Sequence, residues 1–543
     1  MTPKYDAIVI GAGHNGLTNA AYLAKAGLNV LVLEKNDYIG GAAVSRELHP
    51  GWIYSNCSYV CTLLRQSIHR DLNLSKYGLM IVPYGSTTFL GANGSYLAEY
   101  TNEAMTYRDI KRHSPRDADA YVRYHRDLMR YCKLIRYFLL RTPPDPTSFK
   151  PRDIKEMIYM GRKFLDMGEE TIYEFIRFLT MSAADFLDEY FESDLLKAGL
   201  ASASIIGTAL GVYSPGTAYV LLHHVMGDVD GSVGTWGLAR GGMGAISNAI
   251  AGALQDFGGK IKTNAEVAQL LVRNNRTYGV TLTNGDEIHA DIVVSNLDPK
   301  RTFTKIVDAK DIPAKLRKKA ENFKIRGSSG KLNFALTGRP TFPALPQNSE
   351  LTKGSLQFVE SLEAMERGYD DWKNKRWSRK PFVELTQSSI WDPTLAAPGH
   401  YFVSTFVQYC PADVEGGWDQ NKKDAFAKSV IDTIAEHSPD FEDLIAHVEV
   451  RTPAELESEV GLTEGNIFQG ELTIDQLLFN RPFPGYAQYR GPIQGMYLCG
   501  SATHPGGGVS SACGANSARE ILLDLKRSKV NGAAVVPEEF VDD

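Results

Sequence analysis

The chain opens with Asp6-Ala-Ile-Val-Ile-Gly-Ala-Gly-His-Asn-Gly-Leu-Thr-Asn-Ala20, an apolar strand that runs through a glycine-rich turn into a helix. Within it, Gly11 permits the tight turn, and Gly13 lets backbone N–H groups approach a pyrophosphate at the helix N-terminus. Gly16 allows helix and strand to pack closely. The stretch predicts a Rossmann-type dinucleotide site.

A second apolar strand, residues 28–33, leads to Glu34, which lies 23 positions after Gly11. A carboxylate at this position accepts hydrogen bonds from a ribose 2′-hydroxyl and repels a 2′-phosphate. The spacing therefore predicts that Glu34 binds the adenosine ribose and disfavours NADP.

The segment Asn36-Asp37-Tyr38-Ile39-Gly40-Gly41-Ala42 places a glycine pair close behind the second strand. Such a pair gives the backbone another close approach to phosphate and ribityl oxygens. An extended FAD needs that contact more than NAD does, so the segment favours FAD.

Two further glycine-rich segments precede predicted helices. The first, residues 236–246, leads into a helix over 245–257, followed by a hairpin through Asn274-Asn275 and a strand over 290–296. The second, residues 495–509, leads into a helix over 511–525. The helix dipole there favours the negative charge that a flavin gains at its pyrimidine end on reduction.

The composition describes a globular protein of more than one ordinary core. The 543 residues carry a net charge of −6, with 43% hydrophobic and 22% charged residues, so no basic field favours nucleic acid. The start of the chain leaves no room for a signal peptide, and no run of 18 apolar residues occurs. The sequence predicts a cytoplasmic or organelle-matrix protein.

The six cysteines are sparse for this length and fit a reducing compartment. Cys57 and Cys61 lie in a strand-like context, residues 54–60, which would hold their Cα atoms about 13 Å apart. That separation is too large for a bridge. Buried structural thiols are favoured over a redox pair.

We predict an α/β fold in which a discontinuous Rossmann-type FAD-binding domain, of the glutathione reductase and amine oxidase kind, carries an inserted substrate domain. The FAD-binding domain comprises residues 1–80, 236–300 and 491–543. The substrate domain comprises 81–235, a helical insertion, and 301–490, which supplies a mixed sheet with strands over 330–336 and 401–409 and a helix over 423–436.

Residues 123–141 are predicted to form a basic amphipathic helix in which arginines and a lysine are interleaved with large apolar residues. Such a helix rests on a lipid surface in some proteins, which makes peripheral membrane contact one interpretation. The alternative, which we favour, is a solvated basic face over a packed apolar one.

The glycine segments, together with Cys499-Gly-Ser-Ala-Thr-His-Pro-Gly-Gly-Gly-Val509 and Tyr219-Val-Leu-Leu-His-His-Val-Met-Gly227, resemble the phytoene desaturase-like flavoproteins over nearly the whole chain. The resemblance implies non-covalent FAD and hydride transfer between flavin N5 and a substrate carbon. No second Rossmann fingerprint is present, so we expect electrons to leave to oxygen, a quinone or another carrier and not to come from NADPH.

The resemblance also implies a set of cofactor-binding residues. It places the pyrophosphate on Gly11, Ala12, Gly13 and Gly16, the ribose on Glu34, and further phosphate or ribityl contacts on Gly41 and Arg46. Val267 would contact adenine through its backbone, Gly500 and Ser501 would meet the pyrophosphate and ribityl chain, and Val509 would face the pyrimidine carbonyl. Lys35, Gly40 and Gly508 complete this predicted set.

Few catalytic residues are expected, because hydride transfer to a flavin depends on positioning more than on acid–base groups. His504, between a strand end and a glycine run, is the first candidate, to tune charge or accept a proton near the flavin. A structural role for His504 is the alternative. His223 and His224 are weaker candidates for the substrate pocket, and no metal site is predicted.

The sequence favours oxidation of an apolar or amphipathic small molecule, as in carotenoid-like desaturation, by an FAD-dependent oxidoreductase. The first alternative is a flavin amine oxidase that acts on a C–N bond. The second is a non-enzymatic binding or escort protein on the same scaffold. The sequence leaves the direction of reaction and the oligomeric state open.

Overall fold

The computed structural model describes residues 4–346 and 349–529. The strands are β1 Tyr5–Ile10, β2 Val30–Leu33, β3 Ser45–His49, β4 Trp52–Ser55, β5 Ile81–Pro83, β6 Ser86–Leu90, β7 Tyr96–Tyr100, β8 Asp228–Val229, β9 Ser232–Val233, β10 Gly237–Ala239, β11 Lys260–Lys262, β12 Val267–Arg273, β13 Arg276–Leu282, β14 Glu287–Ser295, β15 Ser329–Leu336, β16 Ser355–Phe358, β17 Phe382–Thr386, β18 Tyr401–Gln408, β19 Ile445–Arg451 and β20 Met496–Leu498.

The helices connect and cover these strands. They are α1 His14–Lys25, α2 Gln66–Asp71, α3 Glu103–Lys111, α4 Pro115–Arg136, α5 Pro151–Leu165, α6 Glu169–Thr180, α7 Ala183–Asp188, α8 Asp194–Ile205, α9 Thr217–Val225, α10 Gly244–Asp256, α11 Pro299–Arg301, α12 Ala314–Glu321, α13 Leu362–Lys373, α14 Ser388–Trp391, α15 Gln420–Ala435, α16 Pro453–Glu455 and α17 Ala512–Lys529.

The first sheet is the dinucleotide sheet that the opening stretch predicts. Strands β11, β2, β1, β14 and β20 pair in parallel in that order, and β13 and β12 extend β14 as an antiparallel hairpin. Because parallel strands end at one edge, the residues that follow β1, β2, β14 and β20 meet there. These are the Gly11 turn, Glu34, Asn296 and the loop that begins at Cys499.

Helices α1, α10 and α17 cover one face of this sheet, because their small residues permit close packing against each other and against the strands. The opposite face carries the β12–β13 hairpin together with Phe303, Leu316 and Phe323. The predicted turn at Asn274-Asn275 is present, with φ of 51° and 57°, the left-handed conformation that a two-residue hairpin requires.

The second sheet is mixed. Its order is β19-β15-β18-β17-β16-β6-β7, with β16 and β6 parallel and the other pairs antiparallel. Helix α15 packs on one face through Phe426 and Val430, and an aromatic-rich layer of helices α4 and α6–α9 covers the other. The mixed sheet is therefore the middle of three layers, with α15 on one face and the helical layer on the other.

The prediction that residues 81–235 are helical was incomplete. Strands β6 and β7 lie in this segment and form one edge of the mixed sheet. Their sequences, Ser-Thr-Thr-Phe-Leu and Tyr-Leu-Ala-Glu-Tyr, are short, and β6 pairs with β16, more than 260 residues later. Because the partner strand lies so far along the sequence, the residues near β6 gave no local pattern that predicts this pairing. The exact domain boundaries stay a prediction, and part of 491–543 lies outside the described residues.

The apolar face of α4 is buried in the helical layer, through Tyr124, Leu128 and Tyr131, which agrees with the favoured interpretation of this basic helix. That face is not available to lipid. Large apolar side chains are exposed instead on and beside α5 and α6, with Phe149 at 90% and Leu165 at 74%. Across 4–346 and 349–529, no helix combines the length and apolar character needed to cross a bilayer.

Candidate FAD and substrate site

A cavity of about 430 Å³ lies at the carboxyl edge of the parallel sheet and extends to the mixed sheet. The part nearest the parallel sheet is lined by Ile10, Gly11, Gly13, His14, Asn15, Leu33, Glu34, Lys35, Gly41, Ala265, Glu266, Val267, Asn296, Arg301, Lys305, Ser501, Gly508 and Val509. The part nearest the mixed sheet and helical layer is lined by Cys57, Tyr59, Val60, Cys61, Leu63, Ile206, His224, Trp236, Lys331, Phe406, Ile467 and Phe468.

The N-terminus of α1 points into this cavity with its backbone exposed to a ligand. No side chain caps the helix, and its first turn carries no acidic residue. A Cβ on Gly13 would lie 2.9 Å from Asn296 Nδ2, and one on Gly16 would lie 2.2 Å from the Gly11 carbonyl oxygen. Side chains are therefore excluded from the turn, which leaves its N–H groups to bind an anion.

Glu34 closes the parallel sheet side of the cavity. Its Oε2 accepts a hydrogen bond from the Ala12 N–H at 2.8 Å, and its Oε1 accepts one from the Asn36 N–H at 3.0 Å. The carboxylate lines the cavity while only 8% of the residue is exposed. Two backbone donors thus hold it in the orientation that a ribose hydroxyl would meet.

The structure separates the predicted cofactor residues into two groups. Gly11, Gly13, Glu34, Lys35, Gly41, Val267, Ser501, Gly508 and Val509 line the cavity. Ala12, Gly16, Gly40 and Gly500 are not among the lining residues and build the turns behind it. A Cβ on Gly500, for example, would lie 2.7 Å from the Asn296 carbonyl oxygen.

The contacts of Arg46 in the structure are with protein side chains. Its guanidinium pairs with Glu459 at 3.1 Å and stacks 4.2 Å from the centre of the Tyr38 ring. It is not among the cavity-lining residues. A carboxylate and a tyrosine supply its partners in the structure, and its expected phosphate or ribityl contact stays a prediction.

His14 and Asn15, which the sequence analysis passed over, connect the two glycine loops. His14 lies against the Gly508 carbonyl, and its Nε2 is buried without a hydrogen-bond partner among the described residues. The Asn15 amide donates to Ser501 Oγ at 3.0 Å. An uncapped helix, a held carboxylate and an unpartnered ring nitrogen in one cavity fit an extended dinucleotide that runs from Glu34 to Gly508.

The three predicted catalytic histidines are neutral and hydrogen-bonded to backbone carbonyls. His504 lies 2.9 Å from the Phe138 carbonyl, His223 lies 3.1 Å from that of Gly507, and His224 lies 2.9 Å from that of Val220. Burial lowers the pKa of His504 and of His224 to about 4 and holds the pKa of His223 well below its usual range.

Only His224 of the three lines the cavity, beside Trp236. The ring of His504 is directed to the Phe138 carbonyl in the helical layer and does not line the cavity, so its role near the flavin stays a prediction. Within residues 4–346 and 349–529, no group of three or more His, Cys, Asp or Glu side chains is arranged to hold a metal ion.

Lys331 is the residue that the sequence analysis missed in the substrate half of the cavity. It lies on β15, is 3% exposed, and donates to Ser404 Oγ at 2.5 Å. Burial lowers the pKa of its ammonium to about 7, opposed by the neighbouring Cys57 and Glu384. The sequence did contain a signal for this residue, because Lys331 is the one charged residue within the strand Ser329–Leu336.

A hydrogen-bonded carboxylate lies behind the cavity wall next to Lys331. The Tyr59 hydroxyl donates to Glu384 at 2.6 Å, and the Ser355 hydroxyl donates to its other oxygen at 2.6 Å. The Lys331 ammonium lies 4.8 Å from the centre of the Tyr59 ring. Burial raises the pKa of Glu384. Lys331 is thus an ionisable group with a pKa near neutral pH in the half of the cavity wall nearest the mixed sheet, which contains no carboxylate among the described residues.

Cys57 and Cys61 are free thiols, and both line the cavity. The predicted strand over residues 54–60 is wrong in its second half, because β4 ends at Ser55 and the chain then runs without regular structure. Burial raises the pKa of each thiol to about 12, so both are protonated at neutral pH. Protonated thiols do not perform disulfide exchange, which favours the structural interpretation.

Comparison with known proteins agrees with this geometry. The model of the family described as flavin containing amine oxidoreductase matches residues 16–522. Pyridine nucleotide-disulfide oxidoreductase domain-containing protein 2 of Mus musculus is 37% identical, over 97% of this chain and 94% of its own length. Chloroplastic prolycopene isomerase of Daucus carota is 25% identical, over 98% of this chain and 83% of its own length.

Among solved structures, cyclohexylamine oxidase from Brevibacterium oxydans IH-35A superposes with a TM-score of 0.56 at 16% identity, over 97% of this chain and 100% of its own. A likeness at this identity confirms the predicted fold. The family match and the mouse relative confirm the predicted relationship and its FAD cofactor. The chain belongs to the flavin-containing amine oxidoreductase family and is an FAD-dependent oxidoreductase.

Proposed function

We propose that this oxidoreductase removes two hydrogens from an apolar or amphipathic organic substrate and leaves a new C=C bond, as in polyene desaturation. FAD, when bound along the parallel sheet, supplies the hydride acceptor. The residues proposed to hold it are the lining set from Gly11 to Val509 named above, with His14 added. The substrate would occupy the half of the cavity nearest the mixed sheet.

The wall of that half supports an apolar substrate over an ammonium ion. Val60, Leu63, Ile206 and Phe406 contribute apolar surface, and no carboxylate lines this part of the cavity among the described residues. Glu34 and Glu266, the lining carboxylates, lie at the parallel sheet end. A protonated amine would therefore touch no carboxylate in this half of the cavity, as far as the structure describes it. This absence of a lining carboxylate carries the proposal.

Lys331 would accept the proton that desaturation releases. When one substrate carbon loses a hydride to the cofactor, the adjacent carbon loses a proton as the double bond forms, and the free amine of Lys331 becomes ammonium. Its pKa of about 7 leaves a large share of the amine unprotonated at neutral pH. The buried Glu384 behind Tyr59 would then stabilise the ammonium.

Oxidation of a C–N bond is the alternative function. The family description names amine oxidoreductases, and the superposed structure is that of an amine oxidase. An uncharged amine would enter the apolar half of the cavity, and Lys331 would serve as the base in that reaction too.

Anaerobic mixing of the FAD-loaded protein with polyenes, cyclic terpenes and alkylamines distinguishes the two functions. We expect flavin absorbance to bleach with an unsaturated hydrocarbon and the product mass to fall by two hydrogens. Rapid bleaching by amines, with no response to any hydrocarbon, would replace desaturation by amine oxidation. Free FAD with each compound is the control.

A further inference from the structure

Arg481 is a buried cation with an unusual set of partners. The residue is 0% exposed, and every hydrogen bond of its guanidinium within the described residues goes to a backbone carbonyl. Three donor contacts reach the C-terminal glycine loop: Nη2 to the Ser501 carbonyl at 2.8 Å, Nε to the same oxygen at 3.3 Å, and Nε to the Thr503 carbonyl at 3.2 Å. The others reach the carbonyls of Phe468, Gly470, Glu471 and Gln476.

No carboxylate neutralises this charge in the part of the chain that the structure describes, since Arg481 forms no ion pair there. Glu471, whose carbonyl Arg481 contacts, directs its side chain to Arg326 at 2.7 Å instead. The titratable side chains that raise the pKa of Arg481 are Cys513 and Tyr219, and neither is a carboxylate. Burial lowers the pKa of Arg481 to about 10, so the guanidinium remains charged at neutral pH.

A buried charge without a counter-ion is costly, so its place in the fold is informative. Ser501, whose carbonyl Arg481 contacts, lines the cavity, as do Gly508 and Val509 farther along the same loop. The two histidines nearest this loop, His223 and His504, are neutral, and the charge of Arg481 contributes to lowering their pKa values. Arg481 is therefore a buried cation in contact with the loop that is expected to meet the flavin.

We propose that Arg481 is a positioning residue for the redox reaction, an internal counter-charge that stabilises the negative charge which bound FAD gains on reduction. The inference rests on the FAD site and not on the proposed substrate. In a low-dielectric interior a fixed charge acts over a longer distance than in water, and no neighbouring carboxylate cancels this one. The positive end of the α17 helix dipole lies at the same loop and has the same sign as the charge of Arg481.

Two substitutions separate charge from hydrogen bonding. Arg481→Lys keeps the charge and loses most of the hydrogen bonds, whereas Arg481→Gln loses the charge. We expect the midpoint potential of bound FAD to become more negative in Arg481→Gln and to stay near the wild-type value in Arg481→Lys. Sulfite, which adds to flavin N5 and leaves negative charge on the ring, should bind about tenfold or more weakly to Arg481→Gln.

Arg326→Gln is the matched control, because Arg326 holds the same segment but its charge is neutralised by Glu471. Equal shifts in Arg481→Lys and Arg481→Gln would assign Arg481 to loop structure alone and overturn the proposal. An unchanged potential and sulfite affinity in FAD-loaded Arg481→Gln would do the same.

The unmodified protein supplies a second test if the variants do not fold. An anionic reduced cofactor takes up one proton with two electrons, and a neutral one takes up two. We expect the pH dependence of the wild-type potential to correspond to one proton per two electrons at neutral pH. This one-proton behaviour should continue to a lower pH than it does for free FAD. A switch to two protons at the same pH as free FAD would refute the counter-charge.

Discussion

The two halves of the cavity are built from different parts of the chain. The half at the parallel sheet is built around glycine turns and backbone groups that follow strand ends, together with nearby side chains such as Glu34, which two N–H donors hold. The half at the mixed sheet consists of side chains from segments that are far apart in the sequence, among them Tyr59, Ile206, Lys331 and Phe406. One half recognises a common cofactor through backbone geometry, and the other shapes a substrate through side-chain volume and charge.

This difference explains why the cofactor is established while the substrate remains a proposal. Backbone recognition depends on short motifs that many proteins share. A side-chain wall changes its chemistry with single substitutions and leaves the fold intact. Substitutions can therefore test one half at a time.

The largest effect is expected from Gly13→Val in the cofactor half. The new side chain would begin 2.9 Å from Asn296 Nδ2 and would fill the space in which the N-terminus of α1 meets the pyrophosphate. The purified variant should carry no FAD by absorbance while its circular dichroism stays that of a folded protein. Gly85→Ala is the control, since nothing lies within 4 Å of that added Cβ. Full FAD occupancy in Gly13→Val would give this loop another role.

Lys331→Met tests the substrate half in isolation. The variant should retain FAD, and its reduction by substrate should slow by about 10²–10⁴-fold, the range for loss of a general base. Stopped-flow bleaching measures the rate, and Lys353→Met, at an exposed ion pair, is the control. A reduction rate in Lys331→Met equal to that of the wild type would show that Lys331 takes no part in the reaction.

The pH profile tests the same group without a mutation. Deprotonated Lys331 is the reactive form and its pKa is about 7, so the reduction rate should rise as pH increases through 7 and then level off. Lys331→Met should show a flat profile over this range. A wild-type rate that falls across the same interval would contradict the assignment of Lys331 as a base.

Glu34→Ala should have a moderate effect confined to the cofactor half. Loss of a charged hydrogen-bond acceptor should weaken FAD binding by about 1–3 kcal/mol, as measured by titration of the apoprotein. Glu34→Gln keeps one acceptor oxygen, so its FAD affinity should lie between those of the wild type and Glu34→Ala. Unchanged affinity in Glu34→Ala would show that the ribose is bound elsewhere.

The smallest effect is expected from His504→Ala. The neutral ring contacts the Phe138 carbonyl and not the cavity, so its loss should lower the free energy of unfolding by about 1 kcal/mol and leave the flavin potential unchanged. Chemical denaturation and potentiometry measure the two quantities. A shifted potential would restore the flavin-facing role that the sequence predicts.

The sequence by itself determined the nucleotide-binding architecture. Three features depend on residues that are close in the sequence: the glycine spacing at Gly11, the acidic end of β2 and the hairpin at Asn274-Asn275. The local sequence pattern therefore predicts their geometry. The helices α10, α15 and α17 followed in the same way from periodicity, within a few residues of their observed ends.

Only the tertiary structure decided what surrounds each ionisable side chain. His504 meets its partner across 366 residues, Lys331 acquires its apolar surroundings from separate segments, and Arg481 lies behind the flavin loop without a carboxylate. The protonation of a buried group depends on desolvation and on neighbouring charges, and both are set by long-range packing. A motif specifies backbone geometry locally, whereas the electrostatic environment of a side chain exists only once the chain has folded.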